Sequence, residues 1–281
     1  QSADNGIEIF RTFDALNDFN NIEFTIKEIK RIGKHAQGTI AYTTSPVHNL
    51  NTWLELAKKI EDAGADSLAI KDMAGLLRPF DAYNLVKNLK ETIEIPVHMQ
   101  THATTGMSAA TNMKAIEAGI DNIDTSISSL SMTYGHSATE TMLAIFEDQD
   151  REIILDLEAL EEVSKFFRNI RKKYSEFEGG LKGVDSSMLV KQVPGGMLSN
   201  LESQLRANKQ EDKIDLVKDE IPKVRKDFGY PPLVTPASQI VGAQALLNVM
   251  SSNRYENLSN ESINLITGKS VSYTHLTLPT I

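Results

Sequence analysis

Cysteine is absent from the 281 residues, which excludes a disulfide framework and any thiolate-held metal, and makes a reducing, cytoplasmic compartment the expectation. Long apolar runs are missing too. None approaches the roughly 18 residues that a spanning helix requires, so any membrane association is expected to be peripheral, through a partner complex. Basic residues are in the minority, 29 against 38 acidic ones for a net charge of -9, and they form no cluster, so a nucleic-acid surface is not expected. No G-x-G-x-x-G turn occurs, which removes support for a dinucleotide-binding doubly wound sheet. With 41% hydrophobic residues the chain can still bury a substantial core, as one large domain or one with a smaller appendage.

What is present is a recurring pair of a short β-favouring stretch and an amphipathic helical one, from Ile7 to about Ser129. The expected strands are Ile7 to Phe13, Gly38 to Thr43, Ser67 to Lys71, Pro96 to His102 and Asn122 to Ile127. Their spacing is close to the roughly 30 residues per unit of a (β/α)8 barrel. Gly64 and Gly119 fall just past two expected helices, Leu54 to Ala63 and Ala109 to Ala118. The pattern therefore predicts an α/β fold: a partial TIM barrel holding its last five strands, over residues 1–150. A mostly helical region is expected over 151–269, with helices at Leu157 to Tyr174, Ser199 to Asn208, Lys213 to Lys226 and Ala237 to Met250, and a break at Gly179 and Gly180. Residues 270–281 share neither periodicity nor composition with the rest and read as an unrelated tail.

Barrel enzymes place their reactive groups at the C-terminal ends of strands. Here those ends read Arg11-Thr-Phe-Asp14, Tyr42-Thr43-Thr44, Lys71-Asp72, His98-x-Gln100-x-His102 and Asp124-Thr125-Ser126. Alternation along a strand puts His98, Gln100 and His102 on one face, either as ligands of one divalent cation or as polar side chains filling the barrel mouth. Lys71, at the end of an apolar strand, is either paired with Asp72 at the surface or desolvated, nucleophilic and open to carbamylation. Arg11 can clamp a carboxylate in bidentate fashion or form a structural ion pair with Asp14 or Asp18. Thr235 precedes Pro236 as an N-cap would precede a first-turn proline.

Five strings in one order resemble the carboxyltransferase domain shared by pyruvate carboxylase, the oxaloacetate decarboxylase α subunit and the transcarboxylase 5S subunit. They are Phe10-Arg-Thr-Phe-Asp-Ala-Leu-Asn-Asp18, Leu68-Ala-Ile-Lys-Asp-Met-Ala-Gly-Leu-Leu77, Pro96-Val-His-Met-Gln-Thr-His-Ala-Thr-Thr-Gly106, Gln192-Val-Pro-Gly-Gly-Met197 and Val234-Thr-Pro-Ala-Ser-Gln-Ile-Val-Gly242. The resemblance implies a barrel followed by a helical funnel, and carboxyl transfer between carboxybiotin and pyruvate or oxaloacetate. It also implies a divalent ion (Zn2+, Mn2+ or Co2+) held by a carbamylated lysine, two histidines and an aspartate. In those terms Lys71 stands for the carbamylated lysine, His102 for one metal histidine, Arg11 for the arginine that holds the keto acid's carboxylate, and Thr235 for the threonine that shuttles a proton between biotin and enol. Gln100 stands where the family has its other metal histidine, a weaker ligand, so either metal affinity falls or His98 substitutes for it.

No Ala-Met-Lys-Met biotinylation motif is present, so the resemblance places biotin on a separate domain or subunit. Expected partners are that biotin carrier, a biotin carboxylase subunit or membrane decarboxylase subunits, and further copies of the chain. The chain begins at Gln1, and the barrel strand expected to carry the metal aspartate is not among its five, so it reads as truncated at both ends and inactive alone. Two alternatives stand beside this: a metal-dependent barrel lyase or synthase acting on acyl-CoA, and a degenerate, non-catalytic assembly subunit marked by Gln100.

Overall fold

In the computed structural model, residues 1–147, 155–178, 181–186, 188–207 and 209–269 are described. The break expected at Gly179 and Gly180, the boundary near residue 150 and the tail over 270–281 lie outside them.

The expected strand stretches form one parallel sheet in chain order: β1 (Ile9–Thr12), β2 (His35–Ala41), β3 (Ser67–Asp72), β4 (Val97–Thr101) and β5 (Asn122–Ile123). Connections run through α1 (Phe19–Arg31), α2 (Leu50–Asp62), α3 (Pro79–Thr92) and α4 (Ser108–Glu117). Gly64 and Gly119 adopt φ of 90° and 94° just past α2 and α4, a left-handed turn that glycine enters without steric cost. Helix α2 starts four residues before its expected position. Asn49 accepts from the Thr52 amide at 3.2 Å while the Asn49 amide donates to Thr52 Oγ1 at 3.4 Å, a capping box that opens the helix at Leu50.

The two faces of the sheet carry different chemistry. Ile40, Leu68, Ile70, Val97 and Met99 point outward and pack against Ile22 and Ile26 of α1, Trp53 and Ile60 of α2, and Leu85 and Leu89 of α3 in one buried cluster. The alternate residues Arg11, Gln37, Lys71, His98 and Gln100 share the opposite face, by the period of two along each strand and the register between strands. That face is lined by polar and charged groups instead of the branched aliphatic layers that usually fill such a barrel.

The remainder is helical: α5 (Thr139–Phe146), α6 (Leu157–Lys173), α7 (Met188–Lys191), α8 (Gly195–Ala207), α9 (Ile214–Asp227), α10 (Ala237–Met250) and α11 (Asn260–Ile266). Helices α5, α7 and α11 carry no signal read from the sequence. Helices α8, α9 and α10 share a second core built on Met197, Leu201, Leu205, Val217, Ile221, Val224 and Val241. A smaller apolar contact joins the helical region to the sheet: Val234 and Ala237 pack with Ala15 and Ala41 at the ends of β1 and β2. Among the described residues no helix is long and apolar enough to cross a membrane.

The outward face tolerates little added volume where α2 crosses β2. A Cβ on Gly38 would fall on Ile60 Cγ2 and lie 3.3 Å from Ile26 Cδ1. Gly38→Ala is expected to destabilise the chain by about 1–3 kcal/mol, the usual cost of overpacking. Urea unfolding of the two proteins checks this; equal midpoints would show that α2 shifts freely on the sheet.

Candidate active site

The polar face organises into a deeper and a higher group of side chains, the deeper one crossing several rows of the strand register. In the deeper layer Arg11 donates from Nε to Gln37 Oε1 at 2.5 Å, and from Nη1 and Nη2 to the two oxygens of Asp124 at 2.6 and 3.4 Å. His98 Nε2 meets the same carboxylate at 2.6 Å, with Arg11 Nη2 3.2 Å away. Hydrogen bonding to Asp124 Oδ1 assigns the Nε2 proton of His98 to that contact. Burial works against the Asp124 anion. The hydrogen bonds from His98 and Arg11, and the charge of Arg11, nevertheless hold its carboxyl well below the usual range. Gln37 Nε2 continues the layer to Ser67 Oγ at 3.0 Å, which also meets His35 at 2.7 Å.

One pleat above His98, Lys71 and Gln100 are register partners and Lys71 Nζ donates to Gln100 Oε1 at 3.0 Å. Nζ also lies 5.2 Å from the centroid of the Phe13 ring. No carboxylate of the described residues lies within ion-pair distance of it. Burial, reinforced by the charge of Arg11, lowers the Lys71 pKa. The surface pairing of Lys71 with Asp72 is not formed, because consecutive strand residues face opposite ways. Asp72 is fully buried on the helix side, accepting from the Leu76 and Leu77 amides at 2.8 and 3.0 Å and from Thr101 Oγ1 at 2.8 Å, and burial raises its pKa to about 6.

His102 follows the end of β4, with Nδ1 2.7 Å from the Tyr134 carbonyl and its ring 4.6 Å from that of His136. The carbonyl fixes the proton on Nδ1 and leaves the Nε2 lone pair available, the arrangement usual for a metal-binding imidazole. Burial lowers the His102 pKa to about 4, which keeps the ring neutral at pH 7. These residues fit a divalent ion in part. His102 offers one nitrogen, Gln100 one amide oxygen and Lys71 an amine disposed to lose its proton, whereas His98 Nε2 is committed to Asp124. Among the described residues no group of three or more His, Cys, Asp or Glu side chains can hold a metal.

Two expected contacts are not formed. Arg11 bonds neither Asp14 nor Asp18: Asp14 accepts from the Leu16 and Asp18 amides at 2.8 and 2.9 Å, and Asp18 caps α1 through the Asn20 amide at 2.9 Å. Thr235 is not an N-cap. Helix α10 starts at Ala237 after Pro236, with no side-chain cap, and Thr235 is exposed between the buried Val234 and Ala237. That places it above the end of β2, the part of the fold nearest the Lys71 layer in register. Asp124 stands out in the sequence only as a strand-end residue, with nothing there to give it a role. Arg225 carries no sequence signal at all, since its barrel contact is with Thr43, 182 residues earlier in the chain.

Two families match this chain: one described as HMGL-like over residues 11–167, and the conserved carboxylase domain over residues 188–271. Among curated proteins, a pyruvate carboxylase subunit of Methanocaldococcus jannaschii is 49% identical over 95% of this chain and 47% of its own length. The methylmalonyl-CoA carboxyltransferase 5S subunit of Propionibacterium freudenreichii is 47% identical over 95% of this chain and 53% of its own. The carboxyl transferase domain of Rhizobium etli pyruvate carboxylase superposes with a TM-score of 0.89 at 32% identity, covering 94% of this chain and 47% of that one. The chain thus spans about half the length of the curated relatives it matches.

The deeper layer makes a direct prediction about stability. In a double-mutant cycle of Arg11→Met and Asp124→Leu followed by urea unfolding, the coupling energy is expected at about 1–3 kcal/mol, because each single change strands a half-buried charge that the double change removes. Additive losses would show that the pair is no more than a solvated contact.

Proposed function

Since the chain belongs to the HMGL-like family and carries the conserved carboxylase domain, we propose that it is the keto-acid side of a biotin-dependent carboxyltransferase, working on pyruvate and oxaloacetate. The observation that carries this reading is Lys71: a desolvated amine at a strand end, beside a neutral imidazole and an amide oxygen, with no carboxylate of the described residues to hold its charge. The reaction moves a carboxyl group between a carboxylated biotin and the methyl carbon of pyruvate. In the decarboxylating direction the C–C bond of oxaloacetate breaks, CO2 passes to the biotin ureido nitrogen and the ureido proton ends on pyruvate.

Lys71, as its carbamate, with Gln100 and His102 would hold part of the coordination sphere of a divalent cation, which when bound supplies Lewis-acid stabilisation of the developing enolate. His98 sits one pleat below them and Arg11 two. The clamp on Asp124 occupies the guanidinium edge expected to grip a substrate carboxylate, so Arg11 acts by supplying positive field beneath the keto acid and by aligning Asp124 and His98. Thr235, exposed above β2, is the hydroxyl placed to carry the proton between ureido nitrogen and enolate carbon. The biotin arrives on a separate carrier domain or subunit, and a cytoplasmic location and self-association belong to the same reading. One curated relative, 41% identical, is a 2-oxoglutarate carboxylase large subunit, which makes the keto acid's side chain the open variable.

The test is a carboxyl-transfer assay of the full-length chain with a biotinylated carrier, comparing oxaloacetate, pyruvate and 2-oxoglutarate, with avidin as the block. Avidin-sensitive turnover is expected. Lys71→Ala and Thr235→Ala are each expected to lower kcat on the order of a hundredfold or more with the fold intact by circular dichroism. Turnover that ignores avidin and needs an acyl-CoA would favour the lyase or synthase alternative.

A further inference from the structure

We propose that Arg225 is a positioning residue that fixes the Thr235 loop over the end of β2 and so sets the reach of Thr235 toward the Lys71 layer. The proposal rests on the reading of Thr235 as the proton carrier.

Arg225 lies in the last turn of α9 and is only 5% exposed. No carboxylate of the described residues pairs with it. Its donors go instead to neutral acceptors from three separate parts of the chain. Nε donates to the Pro231 carbonyl at 3.0 Å, Nη1 to Gln192 Oε1, and Nη2 to Thr43 Oγ1 at 2.7 Å and to the Thr44 carbonyl at 3.2 Å. Gln192 Nε2 donates to Thr44 Oγ1 at 2.9 Å, which closes the ring of contacts. The Tyr230 ring stands 6.0 Å from the guanidinium carbon.

A buried cation without a counter-ion is costly, and an apolar side chain of similar volume would serve plain packing better. The position of its acceptors accounts for the charge. Pro231 opens the segment that runs four residues on to Thr235, and Ala237 just beyond is pinned by its packing on Ala15 and Ala41. Thr43 and Thr44 continue directly from β2, and the amide of Tyr42 donates to the Lys71 carbonyl at 2.9 Å. Arg225 therefore links the Thr235 loop, through Thr43 and Tyr42, to the backbone of Lys71 itself. Four acceptors spread over three parts of the chain need the planar fork of a guanidinium, which an ammonium cannot reproduce.

The experiment compares Arg225→Lys, Thr235→Ala and their combination in the full-length chain with its biotinylated carrier. It measures kcat for avidin-sensitive transfer and the inhibition constant of oxalate, a planar mimic of the pyruvate enolate. Arg225→Lys is expected to lower kcat on the order of a hundredfold, as sub-ångström to ångström misplacement of a reacting group does. Oxalate binding should stay within about twofold, because the keto-acid pocket is untouched. The double variant should be no slower than Thr235→Ala alone, since Arg225 acts through Thr235. Thr43→Val, which removes a single acceptor from the β2 side, provides a second route into the same network should Arg225→Lys fail to fold, with a smaller loss of kcat and the same non-additivity. Unchanged kcat, losses that multiply, or weakening of oxalate in step with kcat would each overturn the proposal. A wild-type chain with no avidin-sensitive turnover would overturn the functional reading and this inference together, whereas multiplicative losses in an active enzyme defeat the positioning role alone.

Discussion

Without Asp124 the polar face of the sheet would hold Arg11 and Lys71, two cations within each other's field, with no carboxylate of the described residues in ion-pair reach of either. The Asp124 carboxylate binds Arg11 through two oxygens and His98 through one, and this joins β1, β4 and the end of β5 across the concave side. Parallel strands have no side-chain contact with any but their neighbours on a flat sheet. The Arg11 to Asp124 bond therefore requires the curvature that brings the first and last strands together over three intervening ones. Shape and charge balance of the face are one constraint.

The same pair explains why Lys71 is left as it is. Asp124 is already held by better donors deeper in the face, Arg11 and His98, so its charge raises the Lys71 pKa less than burial and Arg11 lower it. A lysine with a carboxylate of its own would stay protonated and inert as a nucleophile. A neutral partner, Gln100, holds the amine in place without holding its proton. Gln100, set by the resemblance against a metal histidine, is thus also the residue that positions Lys71, and a histidine there would trade this hydrogen bond for a nitrogen ligand.

The strands are legible in the sequence because alternation and spacing are local, and the inward set follows from parity alone: Arg11, Lys71, His98 and Gln100 all lie on one face. Partners are harder. Arg11 is followed by two acidic residues within seven positions, Asp14 and Asp18, and the sequence offers them as its partners. Both are consumed by backbone amides at the entry to α1, and the true partner lies 113 residues on. The start of α2 escapes the sequence for a local reason, a capping box of Asn49 with Thr52 that lacks the acidic third residue usually sought. Thr235 has the signature of a cap because threonine precedes proline there, while the chain begins its helix two residues later.

Arg225 is beyond sequence reasoning in principle. In a last turn it reads as an ordinary C-terminal cation, favoured there by the helix dipole and expected to point into water. Its burial is set by the docking of the helical region on the barrel, where Met188 packs with Ala74 and Leu76 beyond β3, and Val234 and Ala237 pack on Ala15 and Ala41 beside the guanidinium ring of hydrogen bonds. An alanine-lined contact is non-directional and tolerates sliding, because dispersion between small groups changes little over an ångström. Hydrogen bonds to a rigid fork do not tolerate it. The small contact brings the Thr235 loop to the barrel, and the guanidinium decides where along β2 it stops.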